Sequence, residues 1–569
     1  MSFRQSAGDE FQVRPGFKKR IDAIRANYFS RDPNLWPFYR GPGMARYLQL
    51  VGIPKTQDEL LADYPNGAAL RERLQTDSAI PATMRAPGEI EPTLLYAAAT
   101  SKQWNNPASA ENVVTLPCDP AIYGALLGIT TNANLVCREY SESAEDLEKL
   151  IVRRIAKMVG YDVARADGIF TQGGTFCNMY GYLFGIRKSL KNSIKNGFDK
   201  TNNYRFICSQ GGHYSNNTAL AVLGANIEEK NLKIKMDAEN RVDLRDLEEK
   251  LVACFRLNCA VPTIMLTMGT TDTFGVDCVK PTRDLVDRLC REFEVETPPH
   301  IHVDSAVGWA ILFFLDYDFD ANPLEINDAT IVGLRRHVEL FRQLKYADSF
   351  AVDFHKWGYA PYPSSLVMVK DRSSFKALEH DPEQFSYFER GQSERAHLQS
   401  TIESSRNASG VFAAYAALEY LGKEGYQTLV AHSLQNASYF CKRLSGVPGA
   451  TLLAPHNDGP CVTFRLYDPS KVSSPEDELA FELRCGARVE NSDRLAANTA
   501  YHRADFLERV KSTLYTNWVE YAAHTDYDEH NACARIPGEK AVFFNPLIDT
   551  GRLDAFFNLL IERQNRRRV

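Results

Sequence analysis

The chain has 569 residues, which is long enough to bury a large core and to form two or three domains. Its composition is ordinary for a soluble globular protein, with 44% hydrophobic and 24% charged residues. The formal net charge of -6, from 66 basic and 72 acidic residues, gives no footprint for nucleic-acid or membrane binding.

The 12 cysteines are scattered with no C-x-x-C pair, so neither a zinc site nor a disulfide framework is predicted. Reduced, mostly buried thiols suit a cytosol, and the N-terminal segment lacks the apolar stretch of a secretion signal. The longest apolar run, near residues 310–315, is far too short to span a bilayer. We therefore expect a soluble cytoplasmic protein with no metal, nucleic-acid or membrane partner.

The order in which the sequence patterns occur along the chain predicts an N-terminal arm followed by two α/β domains. Residues 1–115 are rich in Pro, Arg and aromatic residues, with short helical runs such as 68–77, and predict an N-terminal arm or helical extension. From residue 116 the pattern alternates between β-type runs and helices, as in a parallel sheet covered by helices. We assign 116–425 to this large domain and 426–569 to a smaller C-terminal α/β domain.

Six short runs in the large domain are predicted strands, with helices between them. The strand runs are 168–171, 204–209, 263–268, 301–303, 349–352 and 366–369, and the helices include 142–159, 178–189, 215–223, 244–254 and 281–294. Parallel sheets place ligands at the carboxyl ends of their strands, so the residues just after each run are the candidates for chemistry.

The first predicted strand is followed by Thr171-Gln172-Gly173-Gly174-Thr175 and then by a helix. Glycines before a helix N-terminus free backbone N–H groups to face an anion, and Thr175 adds a hydroxyl donor. The same residues also suit a tight strand-to-helix turn that Thr175 caps. Their spacing matches neither a Walker A motif nor a dinucleotide-binding fingerprint.

Three further strand ends carry polar residues that are ambiguous when taken singly. His213 follows the second strand, where it could stack on a planar ring or simply start a helix. Thr270 and Thr271 follow the third strand and also suit an ordinary turn. Asp304 ends a buried strand, where a carboxylate is costly unless a cation, such as a structural Arg or Lys, pairs with it.

Lys356 follows the run 349–352, beside His355 and before a Gly/Pro-rich turn. A lysine there suits Schiff-base chemistry, which partial burial assists by lowering the lysine pKa, although strand-end lysines are also common as plain charges. Phosphate cradle, stacking histidine, carboxylate and lysine occur in that order on separate βα junctions. Together they meet the needs of pyridoxal 5'-phosphate for a helix N-terminus, a ring face, an acid at the pyridine nitrogen and an amine.

Five motifs between residues 121 and 421 also carry a family resemblance. They are TQGGT-x-x-N at 171–178, HYS at 213–215, GTT at 269–271, HVDSA at 302–306 and DFHKW at 353–357. With them the chain resembles the group II pyridoxal-phosphate-dependent amino-acid decarboxylases, which include glutamate, tyrosine, aspartate and aromatic amino-acid decarboxylases. The resemblance implies an α/β fold of the fold type I transferase-like class, pyridoxal 5'-phosphate as cofactor, an L-amino-acid α-decarboxylase activity and a homodimer.

The resemblance also implies residue roles. Lys356 would form the Schiff base with the cofactor, Asp304 would partner the pyridine nitrogen, and His213 and Ala306 would lie on the two faces of the ring. The phosphate and the ring substituents would be contacted by Gly174, Thr175, Thr270, Thr271 and His355.

Four further positions follow from the same resemblance. Asn134, in the segment 130–143, would face the substrate, and Tyr387 is the candidate for the mobile-loop tyrosine that protonates the substrate carbon. Arg406 matches the start of the family's small-residue helix, without an assigned role. Asp353-Phe354 stands where many members have Asn-Pro, so the phosphate end would differ in charge.

The substrate and the reaction stay open at this level. An acidic amino acid such as glutamate or aspartate would need a distal cation, and an aromatic one such as tyrosine an apolar slot; Arg138, Lys102, Trp104 and Tyr140 are candidates that the sequence cannot place. The alternative reaction on the same cofactor is a carbon–carbon lyase of the sphingosine-phosphate type, which the turn GYAP at 358–361 resembles, or an aminotransferase.

Overall fold

The chain forms two units, Met1–Asn106 and Pro107–Val569. The structure, a computed structural model, describes residues 66–102, 104, 106–114, 116–190, 193, 197, 203–379, 397, 400–485, 492–510, 512–523 and 534–568. In the first unit the described helices are α1 (Gly67–Thr76) and α2 (Pro87–Thr100). The helix predicted at 68–77 is therefore confirmed.

A seven-stranded sheet forms the centre of the second unit, in the order β1-β7-β6-β5-β4-β2-β3. Its strands are β1 (Asp167–Thr171), β2 (Phe206–Ser209), β3 (Asn231–Ile234), β4 (Thr263–Thr267), β5 (His300–Asp304), β6 (Ser349–Asp353) and β7 (Ser365–Val369). Strands β2 to β6 run parallel, whereas β7 pairs antiparallel with both β1 and β6. The predicted α/β fold with a mainly parallel sheet is confirmed.

All six strands predicted for the large domain are present, and each is buried along almost its whole length. Strand β3 was missed because its sequence, Asn-Leu-Lys-Ile, has only four residues at the sheet edge and two polar members. A half-exposed edge strand lacks the continuous apolar run by which buried parallel strands are identified.

Helices connect the strands and pack on the sheet. In chain order they are α3 (Asp119–Thr131), α4 (Arg138–Ser141), α5 (Ser143–Val159), α6 (Gly174–Ser189), α7 (Ser215–Val222), α8 (Ile227–Lys230), α9 (Leu244–Arg256), α10 (Val279–Glu292), α11 (Asp328–Phe341) and α12 (Ser373–Lys376). Two 3-10 segments, Gly308–Phe314 and Arg342–Tyr346, complete this part of the unit. No helix within the described ranges is long and apolar enough to cross a membrane.

Helix α6 packs close to the sheet because two of its residues that face the strands are glycines. A Cβ added at Gly181 would lie 2.3 Å from the His302 ring, and one at Gly185 would lie 2.2 Å from the Pro262 carbonyl oxygen. Side chains at these two positions would therefore force the helix away from the strands. The close contact places the start of α6 beside the carboxyl ends of the strands.

A second, antiparallel sheet lies in the C-terminal part of the same unit, in the order β10-β11-β9-β8. Its strands are β8 (Ala450–Leu452), β9 (Cys461–Leu466), β10 (Asn517–Ala523) and β11 (Ala534–Val542), and its helices are α14 (Pro475–Cys485), α15 (Ser492–Arg509) and α16 (Thr550–Arg568). The domain boundaries at 115 and 425 stay predictions.

The long helix α13 (Ser409–Leu444) joins the two sheets and is interrupted once. At Gly422 the backbone leaves helical geometry, with φ 56 and ψ -172, which favours glycine. The second part of α13 starts directly after this residue.

Arg406 and Glu148 form a buried ion pair between the start of α13 and helix α5. Arg406 Nη1 lies 2.5 Å from Glu148 Oε1, and both side chains are at most 3% exposed. Arg406 Nη1 also donates to the Phe170 carbonyl oxygen at 3.0 Å, while Glu148 accepts from the Phe170 N–H at 2.8 Å. The pair therefore fixes strand β1 to both helices, which gives Arg406 a structural role.

Replacing Glu148 by Gln should leave the Arg406 guanidinium buried without its counterion and lower the free energy of unfolding by about 3–5 kcal/mol. Urea unfolding of the full chain measures this change. The matched control is Asp146→Asn, which breaks the exposed pair of Arg138 and Asp146, joined at 2.6 Å, and should cost less than about 1 kcal/mol. Equal losses for the two variants would contradict the structural role.

Candidate active site

A cavity of about 720 Å³ lies at the carboxyl ends of the parallel strands. Every predicted cofactor contact is on its wall, and the loops after β1, β2, β4, β5 and β6 all contribute to it. These wall residues are Gly174, Thr175, His213, Thr270, Thr271, Asp304, Ala306, His355 and Lys356. The structure therefore brings the separate strand ends together, as the parallel topology requires.

The start of helix α6 forms the glycine-rich end of the cavity. Gly173 has φ 151, a conformation that L side chains rarely adopt, and the helix begins at Gly174. A Cβ at Gly174 would lie 2.8 Å from Asp353 Oδ2, so this position has room for glycine alone. The Phe176 N–H donates to the Gly173 carbonyl oxygen at 2.9 Å, whereas Gly174 and Thr175, whose N–H groups precede it at the helix start, lie on the cavity wall, which suits an anion.

Lys356 pairs with Asp353, the residue three positions before it. Its Nζ lies 2.8 Å from Asp353 Oδ2, and the Asp353 side chain is 1% exposed. Burial by itself would lower the pKa of Lys356, but the carboxylates of Asp353 and Asp304 outweigh it and raise that pKa above the ordinary lysine value. Burial thus acts on the Lys356 pKa in the expected direction, but the two carboxylates leave that pKa above the ordinary lysine value.

Asp353 is held from three sides. Ser365 Oγ donates to Asp353 Oδ1 at 2.5 Å, and His355 Nε2 lies 3.5 Å from Oδ2. Burial would raise the pKa of Asp353, but the charges of Lys356 and His355 and these hydrogen bonds lower it. Asp353, which stands where the resemblance leads one to expect Asn, thus adds a buried negative charge next to the glycine-rich helix start.

Asp304 faces the cavity and, within the described part of the chain, interacts with Lys356 only through space and forms no direct ion pair. Its Oδ2 accepts from Asn178 Nδ2 at 2.8 Å, and its Oδ1 accepts from the Ala306 N–H at 3.2 Å. The alternative of a structural Arg or Lys partner is thus absent among the described side chains. A protonated ring nitrogen in the cavity would provide the missing positive partner.

His213 lies on the wall between Asp304 and the loop after β2. Its Nδ1 accepts from the Ser215 N–H at 3.2 Å, and its ring centroid is 4.2 Å from that of Tyr214. Burial lowers the pKa of His213, so the ring is neutral at pH 7. A neutral aromatic ring on a cavity wall suits stacking on a flat ligand.

The loop after β4 is tied to the C-terminal sheet. Thr270 Oγ1 lies 2.9 Å from Thr273 Oγ1 and accepts from the Gly275 N–H at 2.8 Å, so its hydroxyl serves the turn itself. The buried Lys540 of β11 donates to Asp272 Oδ1 at 2.8 Å. No local sequence pattern could have paired these two residues, because they are far apart in the chain.

Two predicted site residues are not placed on this wall. Asn134 points elsewhere: its Oδ1 accepts from the Val136 N–H at 3.0 Å and the Arg406 N–H at 3.2 Å, so its amide serves the loop before α13. The prediction that it faces the substrate is therefore not supported within one chain. Tyr387 lies outside the described residues.

The substrate candidates are also accounted for. Arg138 is bound by both oxygens of Asp146 at the surface, at 2.6 and 2.9 Å, and neither it nor Tyr140 lines the cavity. Lys102 and Trp104 belong to the first unit. The sequence did not single out several wall residues, namely Asn112, Val113, Val114, Lys233, Tyr362 and Glu520, and it gave Asn178 only as the end of the motif at 171–178.

Known proteins resemble the chain in sequence and in fold. A family model described as the pyridoxal-dependent decarboxylase conserved domain matches residues 88–467. The aspartate 1-decarboxylase of Aliivibrio fischeri is 27% identical over 369 residues, 61% of either chain. The L-2,4-diaminobutyrate decarboxylase of Acinetobacter baumannii is 21% identical over 373 residues, 62% of this chain and 66% of that one. The chain thus spans less than two thirds of the length of both relatives.

Solved structures share the fold at low sequence identity. A crystal structure of mouse CSAD has a TM-score of 0.67 and 16% identity, with 91% of this chain and 98% of that chain covered. A crystal structure of Oryza sativa TDC with PLP and tryptamine has a TM-score of 0.67 and 15% identity, with 98% and 99% covered. These likenesses confirm the fold type.

Replacing Asp353 by Asn should lower the pKa of Lys356, because the carboxylate nearest to Nζ is removed. Only a neutral amine captures an aldehyde, and each pKa unit changes the neutral fraction tenfold, so capture of pyridoxal phosphate at pH 7 should become roughly tenfold faster or more. The pH of half-maximal capture should move down, as measured by borohydride reduction and mass spectrometry of the Lys356 peptide.

Asp272→Asn is the matched control, since this cavity carboxylate pairs with Lys540 instead of Lys356. Its capture profile should keep the wild-type midpoint. An unchanged midpoint in Asp353→Asn would show that the ion pair does not control Lys356.

Proposed function

Because the chain belongs to the pyridoxal-dependent decarboxylase family, we propose that it is an L-amino-acid α-decarboxylase that releases CO2 and an amine. The family's cofactor is pyridoxal 5'-phosphate. The observation that carries the proposal is the convergence of Lys356, Asp304 and the glycine-rich start of α6 on one cavity.

The groups on the wall fit this cofactor. The first turn of α6 offers backbone N–H donors to a phosphate, and Gly174 cannot carry a side chain without meeting Asp353. Asp304 presents a carboxylate that forms no direct ion pair with the described side chains, His213 presents a neutral ring, and Lys356 presents an amine.

When bound, pyridoxal phosphate supplies an aldehyde for the substrate amine and a ring that accepts the electrons released with CO2. In this chain Asp304 would hold the proton on the ring nitrogen, and His213 would cover one ring face and exclude water from it. Lys356 Nζ is the amine that would bind the aldehyde carbon. Asp353 would keep that amine charged whenever it is free.

As the substrate we propose either an aromatic amino acid such as tyrosine or an acidic one such as glutamate or aspartate. The wall offers charges of both signs, since Lys233, whose Nζ contacts Cys208 Sγ at 3.0 Å, and the exposed Glu520 both line it. The names of the relatives add 2,4-diaminobutyrate to the amino acids worth testing.

The alternative reactions differ in their products. A carbon–carbon lyase would give an aldehyde, an aminotransferase would give a keto acid, and a decarboxylase gives CO2 and an amine. Incubation of the full chain and pyridoxal phosphate with the twenty amino acids and 2,4-diaminobutyrate, followed by chromatography of amines and measurement of CO2, separates the three. Aldehyde or keto acid without CO2 would overturn the proposal.

Replacing Lys356 by Ala should abolish both the covalent attachment of the cofactor and turnover, because it removes the amine that would bind the aldehyde carbon. Absorbance spectra and an amine-release assay measure the two losses. Lys376→Ala, on the exposed side of α12, is the control and should retain both properties. Full activity of Lys356→Ala would rule out this lysine.

The proposal extends to a cytoplasmic homodimer, which rests on the family resemblance and on cysteine usage. Sedimentation of the purified chain gives its mass in solution, and a monomer that is fully active would contradict the dimer.

A further inference from the structure

Strand β5 carries polar side chains at every second position although all five of its residues are buried. His300, His302 and Asp304 therefore point to the same face of the sheet, the face covered by α6. Gly181 of α6 leaves the space that the His302 ring fills. Buried polar groups are costly unless they are hydrogen-bonded, so the partners of these three residues are informative.

The three residues belong to one continuous chain of hydrogen bonds. Asp304 Oδ2 accepts from Asn178 Nδ2 at 2.8 Å, and Asn178 Oδ1 lies 3.3 Å from His302 Nε2. His302 Nδ1 lies 2.7 Å from Ser349 Oγ, which also lies 2.7 Å from His300 Nε2. The chain thus runs from the cavity through the sheet to the amino end of β5.

Both histidines are neutral. Burial lowers the pKa of His300 to about 4 and holds that of His302 well below its usual value. A neutral imidazole has one donor and one acceptor nitrogen, so each ring can pass a hydrogen bond in one direction only.

The carboxylate at the cavity end fixes the direction of every bond in this chain. Carboxylate oxygens only accept, so Asn178 turns its NH₂ group to Asp304 and its oxygen to His302. That oxygen also only accepts, so His302 donates from Nε2 and accepts at Nδ1. Ser349 therefore donates to His302 and accepts from His300. All donors point toward Asp304, and bonds aligned in this way polarise one another.

We propose that His302 and Ser349 are positioning residues that act on the cofactor through Asp304, by holding the Asn178 amide group against the Asp304 carboxylate. Neither of them lines the cavity, so their effect travels only along the hydrogen-bonded chain. The inference deepens the proposed function and rests on it, because Asp304 matters to a cofactor with a ring nitrogen.

Loss of either link removes the donor to Asn178 Oδ1, so the amide group is left with the bonds that its Nδ2 makes to Ser215 Oγ at 3.0 Å and to Asp304 Oδ2, and its hold on Asp304 becomes weaker. A cofactor whose ring nitrogen pairs with Asp304 should bind less tightly as a result. An analogue with a CH group in place of the ring nitrogen makes no such pair, so its affinity should not depend on the chain of hydrogen bonds. General damage to the site would weaken the binding of both ligands to the same extent.

The experiment measures the dissociation constants of pyridoxal phosphate and of its 1-deaza analogue for the full chain freed of cofactor. Ser349→Ala removes one hydroxyl, and His302→Phe keeps a ring without nitrogen. Both variants should bind pyridoxal phosphate roughly tenfold more weakly and the analogue as wild type does. Ser349→Ala, the smaller change, decides the test if His302→Phe does not fold.

Thr263→Val is the matched control. Thr263 is equally buried, pairs in register with His300 on the neighbouring strand and contacts α6 through the Gly181 carbonyl oxygen at 3.4 Å, but it lies outside the chain of hydrogen bonds. Its ratio of the two dissociation constants should equal that of wild type.

An unchanged ratio in Ser349→Ala, or a ratio shifted in favour of pyridoxal phosphate, would overturn the positioning role and leave the proposed function intact. A wild-type chain that binds neither ligand would overturn the proposed function itself. The two failures are therefore distinguishable.

Discussion

The close contact between helix α6 and the central sheet is the constraint on which the rest of the site depends. Gly181 and Gly185 let the helix backbone approach the strands at distances that a methyl group would prevent. That approach brings the first turn of the helix, with Gly174 and Thr175, to the level of the strand ends. It also brings Asn178 within hydrogen-bond distance of Asp304, so one packing contact sets both ends of the cavity.

Three aspartates lie on the cavity wall, and each has a different electrostatic environment. Asp353 is neutralised by Lys356 of its own strand end, and Asp272 by Lys540 of the other sheet. Asp304 alone among them is held by neutral donors. Among these three aspartates, Asp304 is therefore the one whose charge is available to a positive ring nitrogen, while the other two are already paired.

The sequence predicted the site residues that directly follow a buried strand, because a β-type run and the residues after it form a local pattern. It could not predict contacts made across the fold, such as the pairing of Lys540 with Asp272 or the use of the Asn134 amide by the loop before α13. Strand β3 was missed because edge strands are short and half polar. The alternation His300, His302, Asp304 was visible as a signal, but its meaning needed Asn178 and Ser349 as neighbours.

The contact between Lys540 and Asp272 joins residues that are synthesised far apart in time. A nascent chain that already contains Lys356 and Asp304 still lacks strand β11, and with it the anchor of the loop after β4. Contacts between residues so far apart in sequence form late, because closing the long intervening loop costs conformational entropy. The loop after β4 is thus anchored on the cavity wall only when strand β11 has been synthesised and the C-terminal sheet has folded.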